Sequence, residues 1–271
     1  MGIPFLSITK KPGPVTSIIL ALALFGVCLI AYFIASYIRH KDNPQDKLVP
    51  TVNQIIEGVK RVTLKPDRND EYRLMVDTWA SFRRFIISLL LLIPAVILGL
   101  HMGIFPYIEK LFLRFVLFFD KIPALAVLPI LFIIFGLGEV SKIALILIGV
   151  FPTIVLDTYL RAKEVPREQI IKAITLGASE LEIAYSIVLP QILPKVLDTI
   201  RLNLKAMILF LIAGESLAAT SGLGYRIFLV RRYIAMDIII PYVIWISILA
   251  YSADVIFRIA NRKLFPWVDK D

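Results

Sequence analysis

"ITLGASELEIAYSIVLPQILP", residues 174–194, lies between two of the most apolar stretches of the chain. Upstream, Pro166 suits the first turn of a helix, and Ile170, Ile171, Ala173 and Ile174 then give an apolar face at helical spacing. Gly177 breaks or bends that helix. Ser179 restarts it as an N-cap, with Glu182 at the capping-box position, and Pro190 is expected to end the second helix. The stretch therefore predicts helix, glycine turn, helix, proline stop: two short helices at an angle, in a chain otherwise built for lipid.

Composition supports that setting. Of 271 residues, 58% are hydrophobic and the mean hydropathy is +0.80, whereas soluble domains run near 45–50% apolar. The net charge of +9 comes from 30 Lys+Arg against 21 Asp+Glu. Those basic residues are scattered, which fits flanks holding helix ends at a lipid surface and argues against a nucleic-acid partner. The single Cys28 lies in an apolar run, so no internal disulfide exists.

The expected architecture is all-α and membrane-spanning, with six spans and five as the alternative. The first is 15–38, 24 positions without a charge, enough to cross about 30 Å of hydrocarbon; it is too long for a signal peptide. A polar stretch follows, in which Val52, Ile55, Ile56 and Val59 suggest one short amphipathic helix at a membrane surface. Further spans are expected at 85–105, kinked by Pro94, at 122–138 after an amphipathic run 107–121, and at about 142–160, 203–221 and 238–258. The chain thus divides into a tail and first span (1–40), an extracytoplasmic loop (41–84), a five-helix core (85–260) containing a cytoplasmic loop 161–202, and a C-terminal tail (261–271). Lys10, Lys11, Arg262, Lys263 and Lys270 favour cytoplasmic termini, although residues 39–84 on the opposite side hold ten Lys+Arg among seven acidic residues.

The helix–glycine–helix stretch resembles the coupling loop of ABC importer permeases: Glu-Ala-Ala, three residues, Gly, nine residues, then Ile-x-Leu-Pro. Gly177 is followed at that spacing by Ile187, Val188, Leu189 and Pro190, and Ala173 occupies the second alanine. Ile171 and Lys172 stand where the signature has Glu and the first Ala. Residues 121–166 and 214–233 are similar to the central spans and fifth span of the nitrate/sulfonate/taurine/bicarbonate branch, and the likeness runs over about 48–265. The resemblance implies a type I importer-like permease in the cytoplasmic (inner) membrane. It also implies a second permease copy, two ATPase subunits carrying ATP and Mg, and an extracytoplasmic solute-binding protein. Its coupling residues would be Ala173, Gly177, Ala178, Ser179, Ile187, Leu189 and Pro190.

The residues themselves offer no catalysis. No G-x-x-x-x-G-K-[ST] phosphate loop is present, so nucleotide falls to another subunit. His40 and His101 stand far apart without a Cys or carboxylate cluster, so no metal site is expected. Glu215 sits in the fifth span between the uncharged stretches 206–214 and 216–225, and an ionisable group there faces a bundle interior or a watery path; the plainer reading is a hydrogen-bonded helix end. Glu215, Ser216 and Pro129 are the pathway or gate candidates. Asp157 and Asp254 read as solvated or salt-bridged helix-end residues. "SGLGY", 221–225, reads as a tight turn, with anion-binding glycines as the rival. Two functions fit: a transport subunit driven by partner ATPases, or a non-transport membrane scaffold docking a cytoplasmic partner. A secondary transporter is weaker, because no inverted repeat is visible.

Overall fold

A computed structural model of the protein describes residues 13–44, 46–66 and 71–267; Lys10, Lys11 and Lys270 lie outside them. Helices account for nearly all of this, and no strand occurs among the described residues. Helix α1, Pro14–Asp42, leaves its apolar side chains exposed along its length, Ile18, Leu22, Phe25 and Leu29 among them. It is tied to the rest near its end, where the Tyr32 hydroxyl donates to the Pro50 carbonyl at 2.7 Å and Arg39 pairs with Asp46. The amphipathic helix is present as α2, Val52–Thr63, opened by a capping box between Thr51 and Gln54.

The second span is longer than its apolar core. Helices α3 (Arg73–Leu90) and α4 (Ile93–Ile104) join through a turn at Leu91–Leu92 into one 32-residue segment, Arg73–Ile104. Pro94 accounts for the turn: it cannot donate to the Leu90 carbonyl, and the chain tightens just before it, with Leu92 N–H on the Leu89 carbonyl. The expected third span is broken. Helix α5, Pro106–Asp120, and α6, Ala124–Phe135, meet at 99°. Helix α7, Glu139–Glu164, and α12, Met236–Leu264, are continuous spans.

The expected count is six spans, with five as the alternative. Among the described residues four helices are long and apolar enough by themselves to cross a membrane, or five, the alternative, if the bent α5–α6 pair is one span. The expected fifth span lies on α10, Leu189–Ala218, which also carries Lys195, Asp198, Arg201, Lys205 and Glu215 and is outside that number. Packing still makes α10 central. Val150, Ile154 and Val155 of α7 bury against Val196, Leu204 and Met207 of α10 and against Leu100 and Met102 of α4. Helices α4 and α7 cross closely: a Cβ on Gly99 would lie 2.5 Å from the Val155 carbonyl oxygen. Each fully buried aliphatic side chain here contributes about 1.5–3 kcal/mol where water is the alternative, and lipid-facing positions depend instead on packing contact.

Candidate functional site

Between α7 and α10 the chain forms the predicted pair of short helices. Helix α8, Arg167–Thr175, starts after Pro166 and ends in a Schellman turn. Ala178 N–H donates to the Ala173 carbonyl at 3.0 Å and Gly177 N–H to the Ile174 carbonyl at 2.9 Å. That closure needs a left-handed residue at the turn, and Gly177 supplies it with φ +87°. Ser179 then caps α9, Glu180–Glu182: its hydroxyl accepts from Glu182 N–H at 3.3 Å, while its own N–H donates to the Glu182 carboxylate at 2.7 Å. The Ser179 N–H, and then the Ser179 hydroxyl, which itself donates to the carboxylate at 2.8 Å, hold the Glu182 carboxyl below the usual glutamate range.

One face of this pair is anchored and the other bare. Ala173, Ile183 and Val188 are buried in the core, with Ala178, Ile187 and Leu189 packed against it. Gln191 bridges the two helices by donating to the Gln169 side-chain oxygen at 2.9 Å. Ile171, Ile174, Leu176 and Leu181 are exposed, Leu176 at 86%. Ile171, at the signature's glutamate position, belongs to this apolar outer face.

Pro190 does not stop the second helix, contrary to expectation. Residues Ile183–Val188 form a π-helical segment that runs straight into α10, with Pro190 in the first turn of that helix and Pro194 inside it. The wider i→i+5 turn spares the hydrogen bond that Pro190 cannot make. The helix pair is thus continuous with a 30-residue helix, about 45 Å long, at whose far end stands Glu215.

Glu215 is fully buried and fully satisfied. Ser81 Oγ donates to it at 2.7 Å, Arg84 Nη1 at 2.7 Å and Gly224 N–H at 2.9 Å. Arg84 also donates to the Ser221 carbonyl at 2.8 Å and, through Nε and Nη2, to Glu139 at the start of α7. Beside it, buried Asp77 accepts from Arg226 at 2.8 Å, from the Tyr242 hydroxyl at 2.9 Å and from Gly222 N–H at 3.0 Å. This polar cluster binds α3 to α7, α10, α12 and α11, the last spanning Leu223–Arg231. In "SGLGY" both readings meet. Gly222 makes the turn at φ +138°, and the N–H groups of Gly222 and Gly224 do bind anions, the chain's own Asp77 and Glu215.

The other candidates stand apart. Ser216 is half-buried and donates back to the Ala213 carbonyl, and Pro129 is exposed inside α6 and takes no part in the cluster. Asp157 bonds Thr199 and pairs with Arg161, while Asp254 pairs with Arg201 and Arg258, as expected of salt-bridged residues. His101 meets the Tyr185 hydroxyl at 3.2 Å. Sequence reasoning missed Asp77, Ser81 and Arg84, assigned to a polar loop. Their i, i+4, i+7 spacing just before an apolar run was the available signal of a polar helical stripe.

Comparison with known proteins fits this architecture. Residues 85–268 match the family model "Binding-protein-dependent transport system inner membrane component". The taurine transport system permease protein TauC of Escherichia coli (strain K12) is 32% identical over 169 residues, 62% of each chain. The putative aliphatic sulfonates transport permease protein SsuC of the same organism is 29% identical over 147 residues, 54% of this chain and 56% of that one. The chain therefore spans less than two thirds of the length of either relative. A chain of the inward-facing MetNI methionine ABC transporter superposes with a TM-score of 0.51 at 20% identity, covering 66% of this chain and 89% of that one; this likeness shows the type I importer permease fold. With a matched region that begins within α3 and covers most of the chain, the chain belongs to the family of binding-protein-dependent transport system inner membrane components, the permeases of ABC transporters.

Proposed function

We propose that the chain is the transmembrane subunit of an ATP-driven importer that carries a small anion of the sulfonate class across the cytoplasmic membrane. Two separate ATPase subunits, holding ATP and Mg, dock on the helix pair 166–190; a second copy of the permease completes the pathway, and an extracytoplasmic binding protein delivers solute. The sulfonate class comes from the names of the taurine and aliphatic-sulfonate relatives. If the bent α5–α6 pair and α10 both cross, six crossings put both termini on the side of the helix pair, the cytoplasm.

The observation that carries the proposal is the bare apolar knob of Ile171, Ile174, Leu176 and Leu181, rigidly closed by the Schellman turn and capping box. Such a face needs a partner. Its continuity with α10 gives that partner a lever on Glu215, which we place at the gate as a brace: closure of the ATPases moves α10 relative to α3, and the buried cluster must follow. Leu176→Asp tests the docking. At 86% exposure Leu176 supports nothing within the chain, so the variant should insert normally, lose co-purification of the ATPase subunit and lose uptake of taurine. Retained co-purification and uptake would overturn the docking assignment. ATPase capture by the unmodified chain without any solute uptake would favour the scaffold reading.

A further inference from the structure

Three cationic groups converge on one carboxylate at the end of α7 remote from the helix pair. Arg84 Nε and Nη2 donate to Glu139 at 2.6 and 2.8 Å, Lys142 Nζ at 3.0 Å, and Arg83 Nη2 lies 3.7 Å away. The side chains of Arg84 and Lys142 are each only 3% exposed, while Glu139 is 42% and Arg83 57% exposed. Arg84 and Lys142 are therefore fixed inside the bundle, and solvent reaches the carboxylate and Arg83 at the rim.

Charge counting gives the site its character. Arg84 and Lys142 are balanced by Glu139 and Glu215. If Glu139 turns outward, the buried set is left with one net positive charge, and with two when Arg83 at the rim is included. An uncompensated charge in a poorly solvated bundle is strongly unfavourable, so Glu139 leaves only when another anion replaces it. What it leaves behind is a guanidinium fork and an ammonium aimed at one point, donors that suit the two or three oxygens of a small oxyanion. We propose that Glu139 is a resident stand-in: the Arg84–Lys142–Arg83 cluster is an oxyanion site, and the sulfonate group of the solute displaces Glu139 from it. This deepens, and rests on, the reading of the chain as an importer of small anions.

The experiment uses the complete permease–ATPase complex with the Glu139→Ala variant and methanesulfonate as probe. Removing the stand-in should lower the thermal midpoint by about 5 °C or more. Methanesulfonate should restore at least half of that shift, whereas chloride at equal ionic strength and neutral dimethyl sulfone should not. The double variant Glu139→Ala/Lys142→Met should respond to none of them. Absence of any methanesulfonate effect, or equal rescue by chloride, would overturn the site. If Glu139→Ala does not assemble, Glu139→Gln serves: methanesulfonate should inhibit its uptake several-fold more strongly than that of the unmodified complex, and unchanged inhibition would overturn the inference. Co-purification of the ATPase is measured in each preparation. A complex that assembles and imports without an anion effect removes this site alone, whereas an anion effect without ATPase binding or uptake removes the importer reading.

Discussion

Gly177 holds φ at +87° in the turn between the two short helices, and a Cβ built there meets nothing within 4 Å. A side chain at this position therefore costs backbone strain and no clash. For an L-residue with a Cβ, the left-handed region costs roughly 1–2 kcal/mol, and a β-branched residue lies at or above the upper end. Asn visits it readily. The strain is relieved by opening the Schellman turn, so it appears as a smaller population of the docking-competent knob. Since 1.4 kcal/mol is a factor of ten, Gly177→Ala should weaken ATPase binding by about five- to tenfold. Gly177→Val should weaken it by roughly thirtyfold or more, and Gly177→Asn by little. Membrane insertion should stay normal throughout, because the buried contacts of Ala173 and Ile183 are untouched. The assay is a titration of purified ATPase subunit onto the permease in nanodiscs, with uptake measured alongside. Unmodified binding and uptake in the Val variant, or an Asn variant as impaired as Val, would refute the reasoning.

Glu215→Gln removes one charge from a balanced buried set but keeps an oxygen for Ser81 and Gly224; the loss of its bond to Arg84 should cost about 2 kcal/mol. Uptake should fall at normal expression, with a lower thermal midpoint; unchanged values for both would return Glu215 to a simple helix-end role. Glu182 gives a pH test. Its folded carboxyl is depressed by the Ser179 backbone N–H and then the Ser179 hydroxyl. The cap's contribution is therefore present above the ordinary glutamate value, about 4.3, and is lost as pH falls through the lower folded value. Amide exchange at Ser179 should accelerate, beyond its intrinsic trend, as pH falls below the ordinary glutamate range. Glu182→Gln, which keeps the reciprocal bond, should abolish that excess, and an identical excess in the Gln variant would refute the capping account.

Local sequence patterns set the solvent of the fold and the shape of the helix pair. Apolar runs longer than a bilayer core, a glycine where a helix must reverse, and a Ser–Glu pair at capping-box spacing each act within a few residues. Their outcome does not wait for distant partners. Tertiary structure alone decided the rest. Asp77, Ser81 and Arg84 looked like a loop because unpaired polar and charged groups are excluded from lipid; they become helix and core because Glu215, Arg226, Tyr242 and Glu139, between 55 and 165 positions away, pair or hydrogen-bond with them. Pro190 looked like a stop because a proline breaks an α-helix. It sits instead in a continuous one, because a π turn ahead of it is held in place by the burial of Ile183, Ala184 and Val188. The break between α5 and α6 and the charged length of α10 likewise depend on what each helix packs against. Burial and ion pairing link residues far apart in the chain, and no local pattern encodes which of them will meet.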